Sequence, residues 1–123
     1  MILGIVTADL EATVPLEVQN SAGQALTIEA VVDTGFDGYL TLPIASVAAL
    51  GLVWMFQGQG ILADGSVAIF SVYEGHVLWE NHLRPVEIEA IDIKPLLGMG
   101  MLAGHRLEIE AKDGGNVVIE PLP

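Results

Sequence analysis

At residues 30–38 the chain reads AVVDTGFDG, an apolar run that ends in an acid and is followed at once by turn-forming residues. Ala30 to Val32 predict the end of a buried strand, because β-branched and apolar residues favour strands. Thr34 and Gly35 then turn the chain sharply. The stretch therefore predicts that the carboxylate of Asp33 lies at the end of a strand, at a partly desolvated position.

The segments on both sides of this stretch have the texture of a β protein. Apolar and β-branched runs separated by polar or Gly-containing breaks predict three strands before Asp33, at Ile2 to Thr7, Ala12 to Val18 and Ala25 to Val32, with the first pairs forming hairpins. After it, Leu42 to Gly51 predicts a short helix, with Pro near its start and Gly just past its end. Asp64-Gly65, between Gly60–Ala63 and Ser66–Val72, predicts the tip of a hairpin.

The last third of the chain continues the same pattern. We expect strands at His76 to Trp79 and Val86 to Ile93, a second short helix within Leu96 to Leu107, and a final hairpin of Leu107 to Ala111 with Val117 to Ile119. No linker or internal repeat interrupts the chain. The sequence therefore predicts a single, mainly β domain over residues 1–123, with one or two short helices.

Composition limits the chemistry and the partners. The chain has 52% hydrophobic residues, 16% charged residues, no cysteine and a net charge of −12. Thiolate chemistry and Cys-based metal sites are excluded, and an acidic chain of this kind is not expected to bind nucleic acid. No apolar run reaches the roughly 18 residues of a membrane helix, and the first residues lack the basic region of a secretory signal, so we expect a cytoplasmic protein without a membrane partner. The excess of apolar residues predicts a subunit interface, and the terminal segments Met1–Ile5 and Val117–Pro123 are apolar enough to contribute to it.

Four elements, taken together, resemble the retropepsin-like aspartic peptidases, including their small single-domain bacterial members. They are Asp33-Thr34-Gly35 after an apolar run, a helix led by Leu42-Pro43, a hairpin tipped by Ala63-Asp64-Gly65, and Leu96-Leu97-Gly98 late in the chain. Their order and approximate spacing agree with that family over most of the chain. The resemblance implies a closed acid-protease barrel with one flap hairpin, in which Leu96-Leu97-Gly98 packs behind the active-site loop.

The resemblance also implies roles for individual residues. Asp33 would be the single catalytic acid of each subunit in a homodimer, Thr34 would bond across the dimer axis, and Gly35 would permit the tight turn. Substrate-binding residues would be Phe36 beside the dyad and, in the flap, Leu62, Ala63, Asp64 and Gly65. Two positions depart from the commonest family pattern: Phe36 replaces a smaller residue, and Gly100 stands where many relatives carry Asp or Asn.

The residues alone lead to the same requirement for a dimer. Acid catalysis of this type needs two carboxylates that share one proton, and the chain contains a single Asp-Thr-Gly. Two copies of Asp33 would supply the pair, and an extended peptide or unfolded protein would be the substrate. The reaction needs no cofactor, and His76, His82 and His105 lack the spacing of metal ligands, so no metal is expected.

Less specific interpretations of the same signals stay open. Asp, Thr and Gly all form turns, so residues 33–38 are also compatible with an ordinary connection between strands. Asp64-Gly65 taken alone indicates only a hairpin. The acidic residues Glu87, Glu89, Glu108, Glu110 and Glu120 are most simply a solvated surface. The main alternative to an endopeptidase is a non-catalytic peptide-binding or scaffold module with the same fold.

Overall fold

The computed structural model describes all 123 residues, which form ten strands and two short helices. In chain order the elements are β1 (Ile2–Val6), β2 (Ala12–Gln19), β3 (Ala25–Val32), β4 (Leu40–Leu42), α1 (Ile44–Leu50), β5 (Val53–Ile61), β6 (Val67–Trp79), β7 (His82–Ala90), β8 (Leu96–Leu97), α2 (Met99–Leu102), β9 (His105–Ile109) and β10 (Asn116–Pro121). The prediction of a mainly β chain with one or two short helices is confirmed, and the helices number two.

All ten strands belong to one sheet, in the order β5-β6-β7-β4-β8-β3-β2-β1-β10-β9. A further antiparallel pairing joins β6 to β2, with Val18 opposite Val77 and Gln19 opposite His76. Strands far apart in this order therefore meet, and the sheet folds over a single cluster of 20 buried apolar residues. Val14, Leu16 and Val18 on alternate positions of β2 all point into that cluster.

A crossing of three short strands places the loop that contains Asp33. The end of β3 runs parallel to β8, with Val32 opposite Leu97, and Leu97 also lies opposite Leu40 of β4. The chain thus leaves β3 on one side of β8, passes through residues 33–39, and returns as β4 on the other side. We call residues 33–39 the Asp33 loop.

Both helices are short and end where the local sequence stops them. Helix α1 follows Pro43 and ends at Gly51, whose φ of 60° is left-handed and whose N–H donates to the carbonyls of Val47 and Ala48, so the predicted helix is confirmed. Helix α2 is a single turn between β8 and β9, so the prediction of a second short helix within Leu96 to Leu107 is confirmed. Neither helix has the length and apolar character needed to cross a membrane.

The hairpins are confirmed in position, but several strand bounds were wrong. Residues 62–66 connect β5 to β6 around Gly65, as predicted, but His76 to Trp79 is the end of β6 instead of a separate strand. Strand β7 covers His82–Ala90 in place of Val86 to Ile93. Both differences arise from a two-residue turn at Glu80 and Asn81, which pairs Trp79 with His82 and so joins β6 to β7. Both turn residues have positive φ (51° and 67°).

The terminal strands are paired inside the chain. β1 lies between β2 and β10, and β10 lies between β1 and β9. The free edges of the sheet are therefore β5 and β9. The pairing of β1 with β2 covers only Ile5 and Val6, so residues 2–4 of β1 have no strand partner on that side. Leu3 and Ile5 are exposed on its face.

Candidate active site

Hydrogen bonds to the backbone and to one carboxylate oxygen of Asp33 fix its orientation. Its N–H donates to the carbonyl of Leu97 at 2.9 Å, and its carbonyl accepts from the N–H of Phe36 at 3.2 Å. The N–H of Gly35 donates to Asp33 Oδ1 at 2.9 Å, which is the only hydrogen bond to this carboxylate within the chain. The side chain is half-buried at the end of β3. The structure thus presents a carboxylate with one oxygen held and the other available.

The Asp33 loop is fastened to the segment that follows β8. The N–H groups of residues 98–100 donate in turn to the carbonyls of Tyr39, Phe36 and Gly38, over distances of 2.8 to 3.0 Å. This contact requires the glycines at its centre, because a Cβ on Gly98 would lie 2.2 Å from the Gly38 carbonyl oxygen. Leu96-Leu97-Gly98 therefore packs against the Asp33 loop, as predicted.

Gly100, where many retropepsin-like peptidases carry Asp or Asn, lies in the same contact between the Asp33 loop and the segment after β8. A Cβ at this position would lie 2.8 Å from the Gly38 carbonyl oxygen and 3.1 Å from that of Asp37. An Asp or Asn side chain would therefore push the two segments apart. Glycine lets Gly100 donate its N–H directly to Gly38 at 2.9 Å.

An apolar groove of about 570 Å³ runs between the Asp33 loop and the β5–β6 hairpin. Phe36 and Asp37 line it from the loop, and Leu62, Ile69 and Phe70 line it from the hairpin. Ten of its fifteen lining residues are hydrophobic, which suits apolar side chains. Two of the predicted substrate-binding residues, Phe36 and Leu62, therefore meet at one surface.

The other predicted site residues lie beside this groove without lining it. Asp33, Thr34 and Gly35 occupy the adjoining part of the loop. Thr34 is exposed, and its hydroxyl makes no hydrogen bond within the chain. Its role across a dimer axis stays a prediction.

The tip of the β5–β6 hairpin is exposed and locally ordered. Ala63, Asp64 and Gly65 are all exposed, and Gly65 has a φ of 84°. The N–H and hydroxyl of Ser66 both donate to Asp64 Oδ1, the former at 2.9 Å, and these bonds lower the pKa of Asp64 below its ordinary value. The tip is a self-contained turn that reaches past the groove.

Glu89 was assigned to a solvated acidic surface, and that assignment is wrong. Its side chain is half-buried, lines the groove, and has an Oε2 atom without a hydrogen-bond partner. Burial raises the pKa of Glu89, and the negative charges of Asp37 and Glu87 raise it further. On β7, Glu89 alternates with the buried residues Ile88 and Ala90, which is the pattern of a solvated position. The sequence gave no sign that Gly38 packs over the Glu89 side chain. A Cβ on Gly38 would lie only 3.0 Å from Glu89 Oε2.

An apolar hollow of about 380 Å³ lies at the end of β3. Seven of its eight lining residues are hydrophobic, and they include Val32, which immediately precedes the acid. Leu10, 68% exposed, forms part of its wall. The hollow thus gives a second apolar surface at the end of β3, distinct from the groove.

His105 packs against Trp79. His105 Nε2 accepts from Trp79 Nε1 at 3.1 Å, and the two rings meet edge to face with centroids 5.4 Å apart. No group of three or more His, Asp or Glu side chains is arranged to hold a metal ion.

Comparisons with family models, with curated proteins and with solved structures gave no match to this chain. Any functional hypothesis for the chain therefore rests on the residues and contacts described above.

Proposed function

We propose that this chain is one half of a homodimeric aspartic endopeptidase of the retropepsin kind, with a dyad formed by Asp33 from each of two copies. The observation that carries the proposal is the setting of Asp33: a half-buried carboxylate at a strand end, held by the Gly35 amide beside an apolar groove. The β6–β2 pairing supports a closed, retropepsin-like barrel, because it joins strands from distant parts of the sheet order. A cytoplasmic location stays a prediction from the sequence.

The chemistry follows from two like charges held close together. Two adjacent carboxylates cannot both ionise, so they share one proton. The ionised Asp33 takes a proton from a water between the pair as the water oxygen attacks the scissile carbonyl carbon, and the protonated Asp33 donates its proton to the carbonyl oxygen. The resulting gem-diol collapses when a proton is returned to the amide nitrogen and the C–N bond breaks, giving a carboxylic acid and an amine. The two copies of Asp33 are identical, so the two roles belong to the pair and not to one subunit.

The groove and the hairpin supply the place for substrate. An extended peptide fits between the Asp33 loop and the β5–β6 hairpin, where Phe36 and Leu62 contact its apolar side chains. The exposed tip at Ala63–Gly65 is suited to act as a flap that closes over the peptide and excludes water. Asp64 and Gly65 would shape that turn, while its backbone groups face the peptide.

The hollow beside Val32 is the surface we assign to the second copy. A partner there lies next to Asp33, which is where the second carboxylate is needed. The terminal strands offer less free edge, because β10 pairs with β1 and β9, and β1 pairs with β10 and, at Ile5 and Val6, with β2. Thr34 is exposed in the same loop and is free to bond to its symmetry mate.

The proposal is tested by cleavage of an unfolded protein between pH 4 and pH 7. Asp33→Asn is expected to lower the rate by about 10²–10⁴-fold, the usual contribution of a general acid or base. Asp113→Asn, in the turn between β9 and β10, is the matched control and should retain the wild-type rate. Equal cleavage rates for wild type and Asp33→Asn would refute the proposal that Asp33 is the catalytic acid of an endopeptidase. Peptide binding in the groove without cleavage by either protein would favour the non-catalytic binding module instead.

A further inference from the structure

Arg84 is a partly buried cation on β7 that binds main-chain carbonyls instead of a carboxylate. Its Nη1 donates to the carbonyl of Met101 at 3.1 Å and its Nη2 to that of Gly100 at 3.4 Å. Its guanidinium carbon lies 5.6 Å from the centroid of the Tyr39 ring. The ion pairs of the chain involve the Met1 amino group, Lys94 and Arg106, and none involves Arg84. In a chain of net charge −12, an arginine without an acidic partner indicates a specific use of its donors.

Two of the three residues that Arg84 contacts link it to the Asp33 loop: Gly100 is bonded to the loop, and Tyr39 is its last residue. Gly100 accepts from Arg84 through its carbonyl and donates its own N–H to Gly38 at 2.9 Å. Tyr39, under the guanidinium, accepts from the N–H of Gly98 at 3.0 Å through its carbonyl. Arg84 therefore contacts the loop directly at Tyr39 and reaches it a second time through Gly100.

The segment between β8 and β9 needs such an external support. Helix α2 is a single turn, so the carbonyls at its end have no partner further along the helix. Gly98 and Gly100 have no side chains with which to hold the segment, because the Asp33 loop approaches too closely for a Cβ. A cation at the end of a helix also interacts favourably with its dipole, and the planar guanidinium can bind two carbonyls and stack on an aromatic ring at once.

We propose that Arg84 is the positioning residue of the Asp33 loop, holding Gly100, Met101 and Tyr39 so that the loop keeps Asp33 in its catalytic orientation. It does not line the groove, so it acts through the loop and not on substrate. Its effect on turnover rests on the proposed function, whereas its effect on loop order does not.

The variants separate the donors of Arg84 from its bulk and its charge. Arg84→Met keeps an apolar stem and removes every donor. Arg84→Lys keeps the charge but replaces the fork by a single ammonium. Arg106→Met removes the other arginine, which is exposed on β9 and lies 3.6 Å from Glu120, and it serves as the matched control.

Amide hydrogen exchange tests loop order without any need for activity. Arg84→Met should speed exchange at Asp33, Met99 and Gly100 by about tenfold, since loss of charge-assisted hydrogen bonds weakens the contacts that protect them. Arg84→Lys should fall between Arg84→Met and wild type. Exchange at Glu110, bonded to Asn116 outside this region, should not change, and Arg106→Met should match wild type at all four amides.

Steady-state kinetics test the consequence for catalysis. Arg84→Met should lower kcat by at least about tenfold and change KM by less than about threefold, because misplacement of a catalytic group costs transition-state binding more than substrate binding. Arg84→Lys should recover part of kcat.

Each outcome decides the inference. Unchanged exchange at the amides of Asp33, Met99 and Gly100, or acceleration that is equal at Glu110, would show that Arg84 contributes only to general stability and would overturn the inference. Wild-type kcat in Arg84→Met would also overturn it. If the wild type shows no turnover, the proposed function fails and the exchange result decides the role of Arg84 alone. If Arg84→Met does not fold, the same comparison is made between Arg84→Lys and wild type.

Discussion

At the scale of single residues, the acid was predictable and its neighbours were not. Asp33 follows an apolar strand and precedes two turn-formers, and that local pattern was enough to place it at a strand end. Glu89 and Arg84 gave no such signal, because each stands in an ordinary strand and gains its role from contacts with residues about 50 and 16 positions away. Their environment depends on tertiary packing, which a two-residue alternation does not reveal.

Glu89 should make the stability of the fold depend on pH. Burial, and then the charges of Asp37 and Glu87, raise its pKa above the ordinary value of 4.5. The folded chain therefore binds this proton more tightly than the unfolded chain, so the contribution to stability is full below about pH 4.5 and is lost as the pH rises through the raised pKa. Gln at position 89 stays neutral at every pH. The unfolding free energy of Glu89→Gln, measured relative to wild type, should therefore be higher at pH 7 than at pH 4.

Urea unfolding at pH 4 and pH 7 measures this difference. Glu108→Gln, on the exposed face of β9, is the control and should follow wild type at both values. The explanation in terms of Glu89 fails if both variants shift the unfolding free energy equally.

At the scale of elements, prediction succeeded where turn chemistry was explicit. Asp64-Gly65 and Asp113-Gly114 mark hairpins that the structure contains. The turn at Glu80 and Asn81 was missed, because Glu is uncommon at a position of positive φ and the pair lacks the glycine typical of such turns. The crossing of β3, β8 and β4 was predicted only as packing behind the loop, since parallel pairing over such separations leaves no local pattern.

The contact between the β8–α2 junction and the Asp33 loop should be intolerant of a single methyl group. A Cβ at Gly98 would lie 2.2 Å from the Gly38 carbonyl oxygen and 2.6 Å from Phe36 Cδ2. The φ of Gly98 is −99°, which suits any residue, so the cost arises from the contact alone. Gly98→Ala should therefore lower the unfolding free energy by about 1–3 kcal/mol, the usual cost of overpacking.

Chemical denaturation of Gly98→Ala beside Gly60→Ala isolates this effect. A Cβ at Gly60 meets only Phe70 Cε1, at an ordinary 3.7 Å, so its change should stay within about 0.5 kcal/mol. Equal stability of the two variants would mean that the junction and the loop are less closely packed than described.

At the scale of the whole molecule, composition predicted the class of fold and a need for apolar contacts outside the core. A hydrophobic fraction of 52% agrees with a large buried cluster, and it also agrees with the many exposed apolar side chains. The terminal strands were expected to contribute to an interface, and most of their edges are paired within the chain. Long-range pairings such as β6 with β2 decide which surfaces remain free, and no short stretch of sequence encodes them.

Leu10 should control association of the proposed dimer without harming the fold. Leu10 is 68% exposed in the wall of the hollow and has a φ of 60°, a conformation that Asn adopts more readily. Leu10→Asn should therefore keep or raise the stability of the monomer. Because a buried Leu side chain contributes about 1.5–3 kcal/mol, and a twofold interface uses it twice, the dimer dissociation constant should rise at least about tenfold.

Sedimentation over a range of concentrations measures that constant, with Leu83→Asn, half exposed on β7, as the control. Salt supplies the second arm of the experiment. Each copy carries a net charge of −12, so repulsion opposes association, and screening shortens from about 30 Å at 0.01 M to about 8 Å at 0.15 M ionic strength. The wild-type dimer should therefore tighten as salt is added, and Leu10→Asn should weaken it by the same factor at every salt concentration, since the substitution changes no charge. A dimer that dissociates on addition of salt would instead be held by opposite charges, which would place the interface away from the apolar hollow and leave Asp33 without its partner.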